Sequence, residues 1–510
     1  MSPLVVLAVG LGLPGLSSAL AVAGRSPVVL FLAPLIGAGM AAVGATIELG
    51  VGGSLVADYA VVAVIVNLAV LAWWLRARRA ARPRAVTAQV SPRTWGWSFL
   101  TVVVLLGCLA LPLSALRAQQ FGWDANSIWL THALMVYGGH HVLLTGLQNV
   151  AYQFSNPDYP PLVPAAEALA FKFFGTGDLH LAPDMTALLT ACALGVVGIG
   201  IAATGTGPDA MAVGIGGATA TAGSGARRAG RIAGIVAAGA MCVVAFAVSS
   251  AYALDGYADL MWAAPAAGAV IWGLVLPPSR RALGVAWICA VAASLTKNEG
   301  LTTGLVIIVL IALRYRPLSL PGPAARRWAE RAAFVVLPAL PGLAWAGLIK
   351  HIGVSDEFFK SVSTETPLYR AQATVAGIWL HLHVLPVALG ALLVGWLFLR
   401  RDRTRSRLAN PAWLWLACLG SLVTIFVTYV DGWLPIQGWL LNSADRTTIF
   451  SQVVLYAELA VWMVIAVEGA FTWMAEQASA RGSSAGERLP EVPDGLAEPV
   501  PEWDRGGPAQ

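Results

Sequence analysis

Residues 226–259 read ARRAGR-IAGIVAAGAMCVVAFAVSSA-YALDGYAD and contain the pattern that decides the fold. Three arginines precede an uncharged apolar segment, residues 232–251, and Asp255 and Asp259 follow it. Because an α-helix rises about 1.5 Å per residue, roughly 20 apolar residues cross the hydrocarbon core of a bilayer. The stretch therefore predicts one transmembrane helix with a basic end and an acidic end.

The same pattern recurs along the whole chain. Of the 510 residues, 57% are hydrophobic and 12% are charged, and the mean hydropathy is +0.71. Soluble domains carry about a quarter charged residues. The sequence therefore predicts an all-α polytopic membrane protein with about 13 transmembrane helices. We expect them near residues 3–22, 27–47, 56–75, 97–117, 184–203, 232–251, 260–276, 283–296, 301–315, 332–350, 374–399, 412–430 and 451–473.

The loops alternate between densely basic and nearly cation-free. The basic loops contain residues 76–93, 227–231, 280–281, 314–331 and 400–407. Cytoplasmic loops of membrane proteins carry the excess of Lys and Arg, so the alternation places the acidic loops on the extracytoplasmic face. The net charge of +5 is thus a feature of topology and does not indicate nucleic acid. The basic loops are expected to contact anionic lipid headgroups.

Three parts of the chain differ in character. Residues 1–94 hold three N-terminal spans and a basic cytoplasmic loop, and residues 95–476 hold the remaining spans. Residues 477–510 are rich in Gly, Pro, Ser and Glu without an apolar period, and we predict a disordered cytoplasmic tail. The longest acidic-side segment, within 118–183, is expected to form juxtamembrane helices lying on the bilayer.

Asp124 is the first candidate for chemistry. It follows a span and lies among aromatic residues, where a partly dry cavity would make its carboxylate an effective proton acceptor. The alternative is that Asp124 caps the next helix. His140 and His141 are possible metal ligands, but adjacent histidines point in different directions on a helix and no partner cluster is evident in the sequence.

Asp255 and Asp259 form the second candidate. Their spacing of four residues places both carboxylates on one helix face if the helix includes both. They could then bind an acceptor hydroxyl or a divalent cation. Ordinary interfacial acids are the alternative.

Lys297 and Arg446 are the candidate cations. Lys297 lies with Glu299 between two short apolar segments, at a depth where ionisable groups usually mark a functional site or a buried pair. Arg446 lies in an otherwise cation-poor loop and suits phosphate recognition. A structural Lys297–Glu299 pair and an interfacial arginine that extends to the headgroups are the alternatives.

Taken in order, these segments resemble the GT-C superfamily of membrane glycosyltransferases, in particular the protein-mannosyltransferase and aminoarabinose-transferase-like branch. The resemblance covers roughly residues 95–473. It is carried by the loop acid Asp124, by Tyr159-Pro160-Pro161-Leu162 with Phe174-Gly175, by Gly256 to Asp259, by Thr296 to Gly300 and by Ser443 to Arg446.

The resemblance implies an inverting transfer of a sugar from a polyprenyl-phosphate donor to an acceptor hydroxyl of a lipid, glycan or protein. Asp124 would be the catalytic base, and Lys297 and Arg446 would bind the donor phosphate. We assign substrate binding to Asp255, Asp259, Glu299, Tyr159, Trp123 and His141. Some members of the superfamily use a divalent cation, such as Mg or Mn, and the sequence leaves this open. The enzyme would lie in the cell inner (plasma) membrane with its site on the extracytoplasmic face.

Two other functions remain open. The interrupted region 283–315 and Lys297 also fit a secondary transporter or lipid flippase with discontinuous helices, although no internal repeat is evident. An enzyme of the O-antigen ligase or polymerase type also handles lipid-linked sugars. Its long outer loop is expected late in the chain, whereas the longest outer loop here is early.

Overall fold

A computed structural model describes residues 3–80, 92–114, 122–205, 224–249, 254–277, 279–314, 324–354, 365–382, 385–390, 393, 412–432 and 434–486. In these residues the protein is helical, and the described part contains no strand. The long apolar sequences form helices because only internal hydrogen bonding satisfies the backbone where water is excluded. The predicted all-α class is confirmed.

The first half of the chain contains eight helices. They are α1 (Pro3–Ala23), α2 (Val29–Val51), α3 (Leu55–Ala80), α4 (Pro92–Leu113), α5 (Thr131–Gly138), α6 (His140–Gln148), α7 (Leu162–Phe174) and α8 (Leu181–Thr204). A π-helical turn, Ala125–Leu130, leads into α5, and a 3₁₀ turn, Val150–Ser155, follows α6. The short helices between α4 and α8 correspond to the predicted juxtamembrane segment. Helix α7 ends at Phe174 before Gly175, which has a φ of 67°.

The second half contains nine helices in its described residues. They are α9 (Ser224–Val248), α10 (Asp259–Val270), α11 (Arg280–Ser294), α12 (Asn298–Arg314), α13 (Ala324–His351), α14 (Pro367–His381), α15 (Ala412–Asp431), α16 (Ile436–Thr447) and α17 (Ile449–Gly486). Helix α10 continues as a π-helical turn, Ile271–Val275. Helix α17 extends ten residues into the region predicted to be a disordered tail, so that boundary was wrong, and residues 487–510 lie outside the described residues.

Nine helical segments within the described residues are long and apolar enough to cross a membrane. They coincide with nine of the predicted spans. Three other predicted spans correspond to the shorter helices α10, α11 and α12. Much of the predicted span 374–399 lies outside the described residues, which include α14 and residues 385–390. The chain is therefore a multi-pass membrane protein.

Helix α8 is the centre of the main core, and nearly all of its residues are buried. Helices α9 and α10 pack against α8, and α17 packs against α9 and α10. Buried residues of α1 to α3 belong to the same hydrophobic cluster as those of α8 to α11. The N-terminal helices are thus part of one packed body with the helices that follow.

The two ends of this body differ in charge. At one end the turn after α1 lies against Arg281, since a Cβ at Gly24 would be 3.3 Å from its guanidinium. At the other end, residues 122–124, the start of α10, the break between α11 and α12, and α16 meet. The acidic candidates and the two candidate cations lie at this second end.

The break between α11 and α12 depends on Gly300. A Cβ there would lie 2.1 Å from the carbonyl oxygen of Ala293, so α12 can start this close to the end of α11 only without a side chain. Leu162 N, at the start of α7, donates to the carbonyl of Leu295 at 2.9 Å. The break is thereby fixed against the start of α7, and Lys297 lies within it.

We predict that Gly300→Ala lowers the free energy of unfolding by about 1–3 kcal/mol, the usual cost of inserting a group into a closely packed site. The matched control is Gly304→Ala, one turn later in α12, where the nearest atom to a Cβ would be the Ala290 carbonyl oxygen at 3.4 Å. This variant should be at least as stable as wild type because alanine favours helix. Thermal unfolding in detergent compares them, and equal melting temperatures would refute the packing argument.

Candidate functional site

Asp259 is the centre of a buried ion cluster. It is the first residue of α10, and only 1% of it is exposed. Its Oδ1 accepts a hydrogen bond from Lys297 Nζ at 2.7 Å, and its Oδ2 accepts one from Arg446 Nε at 2.9 Å. One carboxylate therefore joins the start of α10, the α11–α12 break and α16.

Arg446 extends the cluster to Asp124. Its Nη2 donates to Asp124 Oδ2, and its guanidinium carbon lies 4.8 Å from the centre of the Tyr257 ring. Asp124 precedes the π-helical turn but makes no side-chain capping hydrogen bond, so the capping alternative is wrong. Its carboxylate is directed to Arg446 instead.

The approach of residue 122 to Tyr257 helps to bring Asp124 into the cluster. Gly122 N donates to the carbonyl of Asp255 at 3.2 Å. A Cβ at Gly122 would lie 2.0 Å from the Tyr257 ring, so only glycine fits this contact. The Phe121 that precedes it lies outside the described residues.

Lys297 is the second cation of the cluster, with 3% of the residue exposed. Besides Asp259, it pairs with Glu299 Oε1 at 3.3 Å. Its Nζ lies 5.5 Å from the centre of the Tyr159 ring. Burial alone would lower the pKa of Lys297, but the carboxylates of Asp259 and Glu299 outweigh it and raise the pKa above its ordinary value. Lys297 is therefore a permanent cation at this site.

The segment before α7 forms the wall next to Lys297. Tyr159 stacks on Trp129, with ring centres 5.4 Å apart and planes 16° apart. Asp158 accepts a hydrogen bond from Asn298 through its side chain, and its carbonyl accepts one from Trp345 Nε1 at 2.8 Å. The motif that contains Tyr159 is thus held against both α12 and α13.

Burying the charged groups of the cluster costs solvation free energy, and their close ion pairs offset that cost. Three carboxylates, those of Asp124, Asp259 and Glu299, face the two cations. Removing either kind of partner leaves a buried charge uncompensated. Burial raises the pKa of Asp124 above its ordinary value, and Arg446 offsets part of that rise. Asp124 is therefore a stronger proton acceptor than an exposed aspartate.

Three residues that we assigned to substrate binding lie outside the cluster. Asp255 was expected to share a helix face with Asp259, but α10 begins at Asp259 and Asp255 lies in the preceding turn, so that expectation was wrong. Trp123 is 64% exposed. His141 is exposed, and its neighbour His140 bonds through Nδ1 to the carbonyl of Glu48 at 2.6 Å. Within the described residues, no group of three or more His, Cys, Asp or Glu could hold a metal ion.

Other contributors were not assigned from the sequence. Trp129, Asp158, Tyr257 and Asn298 all touch residues of the cluster or its wall. Tyr257 and Asn298 lie within motifs that were singled out, Asp158 is adjacent to one, and Trp129 follows Asp124 by five residues. Proximity in sequence to a predicted site residue was the signal available for them.

Arg370 was also missed, and it positions α16. It is buried, and it donates to the carbonyl oxygen of Val430 at the end of α15 at 3.0 Å and to that of Leu434, before α16, at 2.8 Å. It also forms an ion pair with Glu365 at 2.8 Å. The Glu365 carboxylate in turn accepts a hydrogen bond from Ile436 N at the start of α16. The helix that carries Arg446 is thus anchored to α14 and α15.

We predict that Asp259→Asn destabilises the protein by about 3–5 kcal/mol, because it breaks a buried ion pair and leaves two cations without their shared carboxylate. Asp255→Asn is the matched control, four residues earlier and outside the cluster, and should change stability by less than about 0.5 kcal/mol. Thermal or denaturant unfolding in detergent measures both. Equal effects of the two substitutions would contradict the central role of Asp259.

The chain was compared with protein-family models, with curated proteins and with solved structures. No family model, curated protein or solved structure matches it. The case for a function therefore depends on the geometry of the ion cluster and on the order of the sequence motifs.

Proposed function

We propose that this protein is a membrane-embedded glycosyltransferase of the GT-C type that transfers a sugar from a polyprenyl-phosphate donor to an acceptor hydroxyl. One observation carries the proposal. Lys297 and Arg446, which the motif order assigns as phosphate ligands, both bind the single carboxylate of Asp259, and Asp124, which it assigns as base, binds Arg446. Residues up to 322 positions apart in the chain are involved.

Each group has a defined task in the proposed reaction. The acceptor oxygen attacks the anomeric carbon from the side opposite the phosphate, and the bond from that carbon to the phosphate oxygen breaks. Asp124 takes the proton of the acceptor hydroxyl. Lys297 and Arg446 stabilise the charge that develops on the departing polyprenyl phosphate. Asp259 holds the two cations at a fixed spacing before the donor arrives.

The donor must compete for Arg446. In the cluster its guanidinium is bound to both Asp124 and Asp259. A donor phosphate that takes the place of Asp124 on Arg446 would release the carboxylate that acts as base. Phosphate binding and base activation are therefore one event in this proposal.

The proposed topology has about 13 spans, with the ion cluster at the extracytoplasmic face of the inner (plasma) membrane. The basic loops support this orientation, since positive loops remain cytoplasmic. The cluster lies at the end of the body opposite Arg281, which is consistent with that assignment. A polyprenyl donor in the membrane would then present its phosphate at the level of Lys297.

A secondary transporter is the second candidate, and the break at residues 295–297 favours it. Interrupted helices with a buried ion are typical of transporter sites, and Lys297 is buried within such a break. Asp259 begins α10 and Arg446 lies in the last turn of α16. Transporter sites lie near the middle of the bilayer, so charged groups at helix ends fit a lipid-linked phosphate better.

The direct test is a transfer assay on purified protein with a panel of polyprenyl-phosphate sugars, which measures release of polyprenyl phosphate. Asp124→Asn should lower the rate by roughly 10²–10⁴, the usual contribution of a general base. Glu476→Gln, at an exposed carboxylate on α17, is the control and should keep the wild-type rate. A folded Asp124→Asn protein with full activity would exclude the base role. Transport of the donor across vesicle membranes without release of polyprenyl phosphate would favour the transporter.

The pH dependence gives an independent prediction. Asp124 must be ionised to accept a proton, so kcat/KM should rise with pH and level off above the pKa of Asp124. Because burial raises that pKa, the rise should be centred above the value of about 3.9 for an exposed aspartate. Rates of wild type and Asp124→Asn are compared across pH in the same detergent. If Asp124→Asn keeps residual activity and its kcat/KM falls at the same acidic pH as that of wild type, a group other than Asp124 titrates there.

A further inference from the structure

Two enclosed polar atoms beside the ion cluster have no hydrogen-bond partner among the described residues. One is Glu299 Oε2, whose companion Oε1 pairs with Lys297, and the other is Trp129 Nε1. Trp129 is only 2% exposed. Native proteins satisfy the large majority of their buried polar groups, so each exception needs an explanation such as a ligand.

These two atoms belong to residues that are linked by contacts, and we call Trp129, Tyr159, Lys297 and Glu299 together the wall. Trp129 stacks on Tyr159, the Tyr159 ring lies 5.5 Å from Lys297 Nζ, and Lys297 pairs with Glu299. The wall thus combines two stacked and enclosed aromatic rings with a cation, an unpaired donor and an unpaired acceptor. Burial, together with the carboxylates of Glu299 and Asp158, raises the pKa of Tyr159 well above its ordinary value. Its hydroxyl therefore keeps its proton and can donate.

The local backbone links this wall to the catalytic base. Trp129 lies in the π-helical turn Ala125–Leu130, which starts directly after Asp124. Such π-turns are rare and occur frequently at functional sites. The carboxylate and the indole therefore belong to one short segment of the chain.

The chemistry of the donor determines what must lie against this wall. In a polyprenyl-phosphate sugar, the anomeric carbon is bonded directly to a phosphate oxygen. A phosphate held by Lys297 and Arg446 therefore brings the sugar ring into contact with the residues that surround those cations. Sugar hydroxyls both donate and accept hydrogen bonds, and their C–H faces pack on aromatic rings.

We propose that Trp129, Tyr159 and Glu299 form the subsite that binds the sugar ring of the donor. Glu299 Oε2 accepts a hydrogen bond from one ring hydroxyl, and Trp129 Nε1 donates to an oxygen of another. This inference rests on the proposed function, and it assigns sugar selectivity to residues that take no part in proton transfer. A site built to hydrogen-bond a substrate hydroxyl discriminates strongly against an analogue that lacks it.

The test combines enzyme variants with donor analogues. Wild type, Glu299→Gln and Trp129→Phe are assayed for kcat/KM with the donor that wild type uses best and with its monodeoxy analogues. Wild type should lose roughly 10- to 100-fold on the analogue that lacks the hydroxyl read by Glu299, the range expected for a hydrogen bond to a charged group. Glu299→Gln should lose less than about threefold on that same analogue, since interacting partners are not additive.

Trp129→Phe keeps the ring and removes only the N–H, so it should become insensitive to a different single deoxy position. Trp73→Phe, an exposed tryptophan on α3, is the control and should keep every wild-type penalty. Inhibition by polyprenyl phosphate should be unchanged in Trp129→Phe, which shows that the phosphate site is intact.

Two negative results have different meanings. If both variants keep the full wild-type penalty for every deoxy donor, the sugar subsite is refuted while the transferase assignment stands. If wild type releases no polyprenyl phosphate from any donor in the panel, the proposed function itself fails.

Discussion

The carboxylate of Asp259 is the contact on which the rest of the site depends. It binds Lys297 through one oxygen and Arg446 through the other, and both side chains are largely enclosed. Neither cation would be stable at such a position without a carboxylate, because the cost of removing a charge from water exceeds what packing returns. Asp259 therefore fixes where α10, α12 and α16 meet, and that meeting point determines which other groups can take part.

The all-α class and the nine long apolar helices of the described residues were predictable from the sequence, because membrane helices are marked by length, hydropathy and flanking charge. Asp124, Asp259, Lys297 and Arg446 were also found individually, since a charged residue at the end of an apolar segment is conspicuous. Their pairing was not predictable, because partners 38, 187 and 322 residues apart meet only in three dimensions. The expectation that Asp255 and Asp259 share a helix face was wrong, because a spacing of four residues implies a common face only inside a helix, and α10 begins at Asp259. Arg370 was missed because most of its acceptors are backbone carbonyls, which the sequence does not distinguish.

The arrangement also accounts for how a catalytic base could be kept inactive until a donor binds. In the cluster Arg446 forms an ion pair with Asp124, and three carboxylates face two cations. In the proposed reaction the donor phosphate displaces Asp124 from Arg446, and this displacement releases the carboxylate that acts as base. Asp259 and Glu299 remain to hold Lys297. The enclosed Trp129–Tyr159 wall lies next to Lys297, so the sugar and the phosphate would be recognised by adjacent groups with separate chemistry.

The most direct measurement of this account is an experimental structure of the protein in lipid nanodiscs with bound polyprenyl phosphate. The account predicts phosphate density in contact with Lys297 Nζ and the Arg446 guanidinium, with Asp259 still bound to both cations and Asp124 separated from Arg446. Phosphate bound elsewhere, or an Arg446 that remains on Asp124 with the lipid in place, would contradict it.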